Sequence, residues 1–363
     1  MMTTRCHDGT TAGYHDSICA LRLTCRAFHE SATPHLFRAV RVCYISSAHQ
    51  KRKSASTLTC IARSPVARYV TQLTLQPAPN SANCLQTDSI RTDLVELGSA
   101  LLSNVDAFRC LNVLRVQACT HSMRWQHSRD CLDALRTEFT RTIGETLGAL
   151  AQSCLRTLEL NMSLAHDFSE LALYIPTSLL SVHTLSLGIL DQSGEGGSAY
   201  VFEAATSLQT AHPNSDSAGA VIDFIRRFPN LSAVTVKATH YLDMDELASL
   251  PLHRIQHLQF RRVTFSAVGL IQILSLCQEL DDLILDECEL RSGDWGAVFH
   301  SFTNHLSLTA VRLNELGYAT KPRSFSLSRP RPCFGSGLQQ ISATDRQSLE
   351  VARARLGSRC VAF

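Results

Sequence analysis

The sequence lacks any apolar run long enough to cross a bilayer. Its longest, Ala267 to Cys277, is already broken by Gln272, whereas a membrane helix needs about 20 predominantly apolar residues. Met1 to Ser17 is polar and carries no apolar stretch of the kind found in a secretory leader. Closely paired cysteines are missing too. The 14 cysteines run from Cys6 to Cys360, and no two are separated by only two residues. That excludes the common zinc spacings, and a disulfide scaffold belongs to short secreted chains. The cysteines therefore read as reduced thiols of a cytoplasmic or nuclear protein, mostly buried as small hydrophobes. No G-x-S-x-G elbow, HExxH pair, Walker loop or dinucleotide fingerprint occurs. Gly194, Gly196 and Gly197 are followed by no Lys-Ser/Thr and read as linker glycines. His121 and His127, with Cys119 and Cys131 nearby, match no standard metal spacing. The expectation is a non-enzymatic chain with no cofactor, no metal and no nucleic-acid or membrane partner.

What is present is a core-forming composition with an uneven charge. The 363 residues are 45% hydrophobic and 18% charged, enough to bury a sizeable core and too apolar for wholesale disorder. Residues 1–79 carry 10 Lys/Arg against 3 Asp/Glu, and residues 318–363 carry 8 against 2. The middle carries 16 against 27, so the net charge of +2 hides an acidic centre between basic ends. Solvated faces account for this balance, and an acidic surface favouring basic partners is the sharper alternative. The cluster Asp281, Asp282, Asp286, Glu287 and Glu289 is read as a solvated face, and Lys51-Arg52-Lys53 as a weak signal for a phosphate or nuclear-import contact.

The organising signal is a hexapeptide of the form aliphatic-x-x-aliphatic-x-aliphatic. It appears as Val70-Leu73-Leu75, Leu111-Leu114-Val116, Leu155-Leu158-Leu160 and Val182-Leu185-Leu187. It returns as Leu231-Val234-Val236, Ile255-Leu258-Phe260, Leu280-Leu283-Leu285 and Leu308-Val311-Leu313. The starts are 41, 44, 27, 49, 24, 25 and 28 residues apart. The shorter intervals resemble the leucine-rich repeat, whose period is about 20 to 29 residues; the longer ones read as repeats with insertions. Cys119 and Cys288 stand where that repeat allows Asn or Cys. Because parallel neighbours need a crossover, helices must return the chain between strands. The spacing predicts apolar helix faces at Ile90, Leu94, Leu97 and Leu101, and at Phe139, Ile143, Leu147 and Leu150. Further faces are Val221, Ile222, Ile225 and Phe228; Val268, Ile271 and Leu274; and Trp295, Val298, Phe299 and Phe302.

The implied fold is α/β: a solenoid with parallel strands on its concave face and helices on its convex face. Residues 70–317 form it, with loop insertions at 77–88, 120–135 and 192–219. Residues 1–17 are expected to be disordered and 46–69 to form a linker or cap. Residues 318–363 are expected to be a basic, largely disordered tail with a short helix over Thr344 to Leu356. Alternation places one set of strand side chains outward, where a partner would meet them. These are Arg115 and Gln117, Glu159 and Asn161, Thr184 and Ser186, Thr235 and Lys237. They continue with His257, Gln259 and Arg261, Asp282 and Asp286, then Arg312 and Asn314. Mixed in sign and mostly polar, they suit a protein surface better than an apolar small molecule.

Ile18 to Glu30 reads as an amphipathic helix capped by Ser17 or Asp16, followed by a turn at Pro34 and a strand at Val40-Arg41-Val42. The run Leu21-Arg-Leu-Thr-Cys-Arg-Ala-Phe28, then Ala32-Thr-Pro-His-Leu-Phe-Arg38, resembles the C-terminal half of an F-box. It is most similar to the F-box/leucine-rich-repeat proteins of fungi, over residues 18–45. The Phe-Pro-Asn-Leu junction at 228–231 fits the same architecture. The family's opening Leu-Pro-x-Glu-Leu-Leu helix has no counterpart between Met1 and Asp16, so the resemblance implies an F-box that lacks its first helix. The resemblance implies a substrate receptor of a cullin–RING ubiquitin ligase, with the ligase adaptor subunit and the cullin scaffold as partners. It places Leu21, Leu23, Cys25, Phe28, Pro34 and Phe37 in the F-box fold, some of them against the adaptor, and the target protein on the repeats.

Overall fold

The computed structural model describes residues 26–44, 53–77, 87–118, 129–175, 178–189, 217–302, 305, 307–319, 343–356 and 361–362. Each hexapeptide becomes one rung of a single parallel sheet. The strands are β1 (Ala39–Tyr44), β2 (Gln72–Pro77), β3 (Val113–Gln117), β4 (Thr157–Met162), β5 (Thr184–Ile189), β6 (Ala233–Asp243), β7 (His257–Ser266) and β8 (Asp282–Asp286). After the short β9 (Glu289–Ser292) come β10 (Ala310–Asn314), β11 (Gly317–Tyr318) and β12 (Val361–Ala362). The sheet order is β1 through β8, then β10 and β12. The second and third aliphatics of every hexapeptide lie in register: Leu73, Leu114, Leu158, Leu185, Val234, Leu258, Leu283 and Val311 form one core column. All of them are buried.

The first aliphatic of each hexapeptide sits just before its strand and is buried as well. Between it and the strand lies a lead-in residue whose carbonyl accepts two N–H groups from the next turn. Arg38 takes those of Thr71 and Gln72, Thr71 those of Asn112 and Val113, and Asn112 those of Arg156 and Thr157. The pattern repeats through Asp281, which takes those of Thr309 and Ala310. This pairing satisfies backbone groups that the turn would otherwise bury unpaired.

The sheet begins one rung earlier than the hexapeptides suggest. β1 pairs with β2 in register, Val40 with Leu73 and Val42 with Leu75. Phe37, three residues before Val40, holds the position of the first aliphatic, so an aromatic conceals the ninth repeat. Tyr44 is buried, donates to the Gln117 carbonyl and packs against Phe139 with ring centroids 5.6 Å apart and planes tilted by 31°. The stretch 46–69, expected as a linker or cap, carries a return helix, α2 (Lys53–Ala62), and a 3-10 turn at Pro65–Tyr69. Leu58, Ile61 and Ala67 join the core from these elements. Ahead of β1, α1 (Arg26–Leu36) runs through Pro34 where a turn was expected. Pro34 lies in the last turn, two residues before the helix ends, and the Phe37 N–H still closes on the Thr33 carbonyl at 3.1 Å.

The return helices are α3 (Thr87–Asn104), α4 (Arg129–Ala149), α5 (Asp167–Tyr174), α6 (Ala218–Ile225), α7 (Ala267–Leu276) and α8 (Trp295–Phe302). Helix α4 starts at Arg129, inside the insertion expected at 120–135. Most of the 77–88 and 192–219 insertions lies outside the described residues. The inward faces of α4 and α8 are those the spacing predicts. In α7 the phase differs: Ala267, Leu270, Ile273 and Leu274 are buried, while Val268 is 74% exposed. A helix apolar nearly all round offers no polar face from which to read its phase. Its cap is clear, the Ser266 hydroxyl accepting from the Gly269 N–H at 2.9 Å.

Two features fix the packing elsewhere. Between α4 and α5, Arg136 and Asp167 form a buried pair at 2.5 Å, with Glu170 at 3.1 Å on the same guanidinium. Burial pushes the Asp167 carboxyl up, against the pull of Arg136. At the C-terminal end, α9 (Ala343–Leu356) packs on α8 and β12 pairs with β10, so the expected tail contains a folded cap. Asp345 accepts from the Gly296 N–H at 2.8 Å and from the Tyr318 hydroxyl at 2.6 Å, tying α9 to the start of α8. Among the described residues, no helix is long and apolar enough to cross a membrane.

Candidate functional site

The helices cover one face of the sheet and leave the other open, and the register sorts its outward side chains into columns. One column runs Thr74, Arg115, Glu159, Ser186, Thr235, Gln259, Ile284 and Arg312. A second runs Gln117, Asn161, Gly188, Lys237, Arg261, Asp286 and Asn314. Preceding both, Thr157, Thr184, Ala233, His257, Asp282 and Ala310 line up at the start of their strands. Every outward residue named from the sequence stands in one of these columns. Alternation did not single out Ile284, an aliphatic facing outward, or Gly188. A Cβ on Gly188 would lie 2.0 Å from Asn161 Oδ1, so glycine is what lets the Asn161 side chain lie across β5.

The face is largely self-neutralised. Arg115 pairs with Glu159 at 2.9 Å, and Arg312 with Asp282 at 3.0 Å, each across one rung. Arg261 reaches Asp286 at 3.2 Å and Glu287 at 2.8 Å, and Asn314 donates to Asp286 at 2.6 Å. Lys237 and Arg41 have no ion partner among the described residues. Such exposed pairs contribute little to stability; they hold side chains in place and leave a polar, hydrogen-bonding surface without a strong field.

Along one rim the chain turns a corner at the same place in three successive repeats. Arg262, Glu287 and Glu315 all adopt left-handed backbone, with φ of 54°, 52° and 48°. Sequence spacing gave no hint of this, because these residues are not the glycines or asparagines that favour such angles. Arg262 and Arg261 both bind Glu287. Burial pushes the Glu287 carboxyl up, but these two guanidiniums outweigh it and hold it below the usual carboxylate range. Past the corner, β7, β9 and β11 form a second short ladder, and Arg291 bridges Asp243 at 2.8 Å and Asp245 at 2.7 Å.

Of the residues that the F-box resemblance places, Leu21, Leu23 and Cys25 lie outside the described residues. Phe28 falls on α1, and Pro34 and Phe37 are half-buried. His121, His127 and Cys119 also lie outside. Among the described residues, no group of three His, Cys, Asp or Glu side chains could hold a metal ion.

No family model matches the chain, and no curated protein matches it. Solved structures do. A Bacteroides fragilis protein is 10% identical with a TM-score of 0.47, over 97% of this chain and 82% of that one. The leucine-rich repeat-containing protein LegL7 of Legionella pneumophila is 11% identical with a TM-score of 0.39, over 89% of each chain. A chain of the yeast Rad7 and Elc1 complex is 12% identical with a TM-score of 0.30, over 87% of each. At these scores the likenesses add nothing to what the strand register itself shows: an α/β solenoid built on a leucine-rich pattern.

Proposed function

We propose that the chain is a protein-interaction module that holds a partner protein against the open face of its sheet, without catalysing a reaction. The observation that carries this reading is the register. Nine repeats line up their outward side chains in register on one polar, nearly neutral face among the described residues, and a broad array of that kind suits a protein better than a small molecule. On the resemblance of residues 18–45, the finer reading is a substrate receptor of a cullin–RING ubiquitin ligase. In it, α1 and the segment before it meet the adaptor subunit, and the open face meets the target.

Two measurements test these levels separately. For the module, partners captured by the full chain are compared with those captured by Thr235→Arg with Gln259→Arg, and by Val268→Arg on the helical side. Loss with the first variant and retention with the second is the expected result; equal capture by all three rejects the open face. For the ligase role, the full chain is titrated with purified adaptor, and Phe28→Asp is expected to abolish binding. Absence of binding by the unaltered chain rejects it.

A second reading has its own support. Because β1 pairs in register with β2 and Tyr44 anchors it to β3, the F-box-like segment also fits an N-terminal solenoid cap with no ligase role. Phe37→Asp would then destabilise the first repeats without altering any complex.

A further inference from the structure

The residue just before the first buried aliphatic recurs once in each repeat: Tyr69, Cys110, Cys154, Ser181, Asn230, Arg254, Glu279 and Ser307. Two cysteines occupy successive places in this series, and both are exposed. The ladder stays in register to within two residues of them, since Asn112 accepts from the N–H groups of both Arg156 and Thr157 at 2.9 Å. Leu111 and Leu155, the next residues along the chain, are both buried in the core. Elsewhere in this series, side chains reach the preceding turn, in one case its side chain and in another its backbone. Arg254 donates to Asn230 at 3.2 Å. The Ser307 hydroxyl reaches the carbonyls flanking Glu279, those of Gln278 at 2.8 Å and Leu280 at 2.9 Å. Successive rungs lie about 4.8 Å apart, and a disulfide needs Cα atoms roughly 4.4–6.8 Å apart.

From this placement we infer that Cys110 and Cys154 are a redox-responsive pair, which a small-molecule disulfide converts into a bridge between the third and fourth rungs. The thiolate of one cysteine attacks the small-molecule disulfide, forming a mixed disulfide and releasing one thiol. The other thiolate attacks the protein sulfur of that mixed disulfide, forming the Cys110–Cys154 bond and releasing the second thiol. Two protein thiols are oxidised and one small-molecule disulfide is reduced to two thiols. Across this junction Arg115 pairs with Glu159, so the bridge fixes the two rungs that carry that pair on the open face.

The test treats the native full chain with glutathione disulfide and maps its peptides without reduction. The expected product joins the peptides containing Cys110 and Cys154, at a mass two hydrogens below their sum, and is reversed by dithiothreitol. Cys110→Ser and Cys154→Ser, each with an unchanged circular dichroism spectrum, should both lose it and leave the remaining cysteine as a glutathione mixed disulfide. Recovery of both cysteines as separate mixed disulfides in the unaltered chain, with no joined peptide, would overturn the inference. So would a joined peptide that forms only between two chains, seen as a dimer on non-reducing gels.

Discussion

Replacing Leu185 by alanine probes the stacking of the rungs where it should matter most. Leu185 is fully buried at the centre of the sheet, paired with Leu158 on one side and Val234 on the other. Truncating such a side chain removes its transfer free energy and leaves a cavity that rigid neighbours cannot close, a cost of about 3 kcal/mol within a usual span of roughly 2–5. In a solenoid each repeat contacts only its neighbours, so the loss stays local. Native-state hydrogen exchange reads it directly. Amides of β4, β5 and β6 should exchange on the order of a hundredfold faster, while those of β10 change far less. Ser186→Ala, one residue along and facing outward, should move none of them beyond about 0.5 kcal/mol. Equal effects from the two variants, or a Leu185→Ala loss under about 1 kcal/mol, would refute the assignment of inward and outward faces.

Three further outcomes follow from the packing. Asp167→Ala removes the fully buried carboxylate that pairs with the Arg136 guanidinium, and Arg cannot shed its charge; denaturation should show a loss of about 3–5 kcal/mol. Burial pushes the Cys277 and Cys288 thiols up to about 12. Iodoacetamide at neutral pH should therefore label Cys110 and Cys154 in the native chain and spare Cys277 and Cys288, as read by peptide mass. Glu287 is held below its ordinary value of 4.5, so its stabilising contribution is complete above that pH and is lost as the pH falls through its lower folded value. Urea titrations should therefore show wild type more stable than Glu287→Gln at pH 6, with the two converging on acidification.

The repeats were legible because their physics is local. An aliphatic hexapeptide fixes which side chains enter the core, and alternation then fixes the outward columns from Arg115 to Asn314. What escaped detection had chemistry that masks the pattern. Phe37 substitutes for an aliphatic, so the strand expected at Val40-Arg41-Val42 does not read as a rung of the sheet. Helix α7, apolar on all sides, conceals its phase. The helix expected over Thr344 to Leu356 is α9, but its docking is hidden: it buries Asp345, Leu349 and Ala352 on one stripe, and the aspartate in that stripe masks the apolar face. Charge pairing across rungs, such as Arg312 with Asp282, depends on register between segments 30 residues apart, and the corner at Arg262, Glu287 and Glu315 depends on backbone angles that spacing does not encode.

The most direct measurement of the stacked-rung architecture is a set of electron–electron distances between spin labels carried on unnatural amino acids at 115, 186 and 312. Positions 115 and 186 are two rungs apart, 186 and 312 four, and 115 and 312 six. At about 4.8 Å per rung the backbone separations should be near 10, 19 and 29 Å, the longest shortened by any curvature. Distances that rise in that order support the ladder. A 115–312 separation no longer than the 186–312 one would contradict it, because the rungs could not then follow one another in a single parallel sheet.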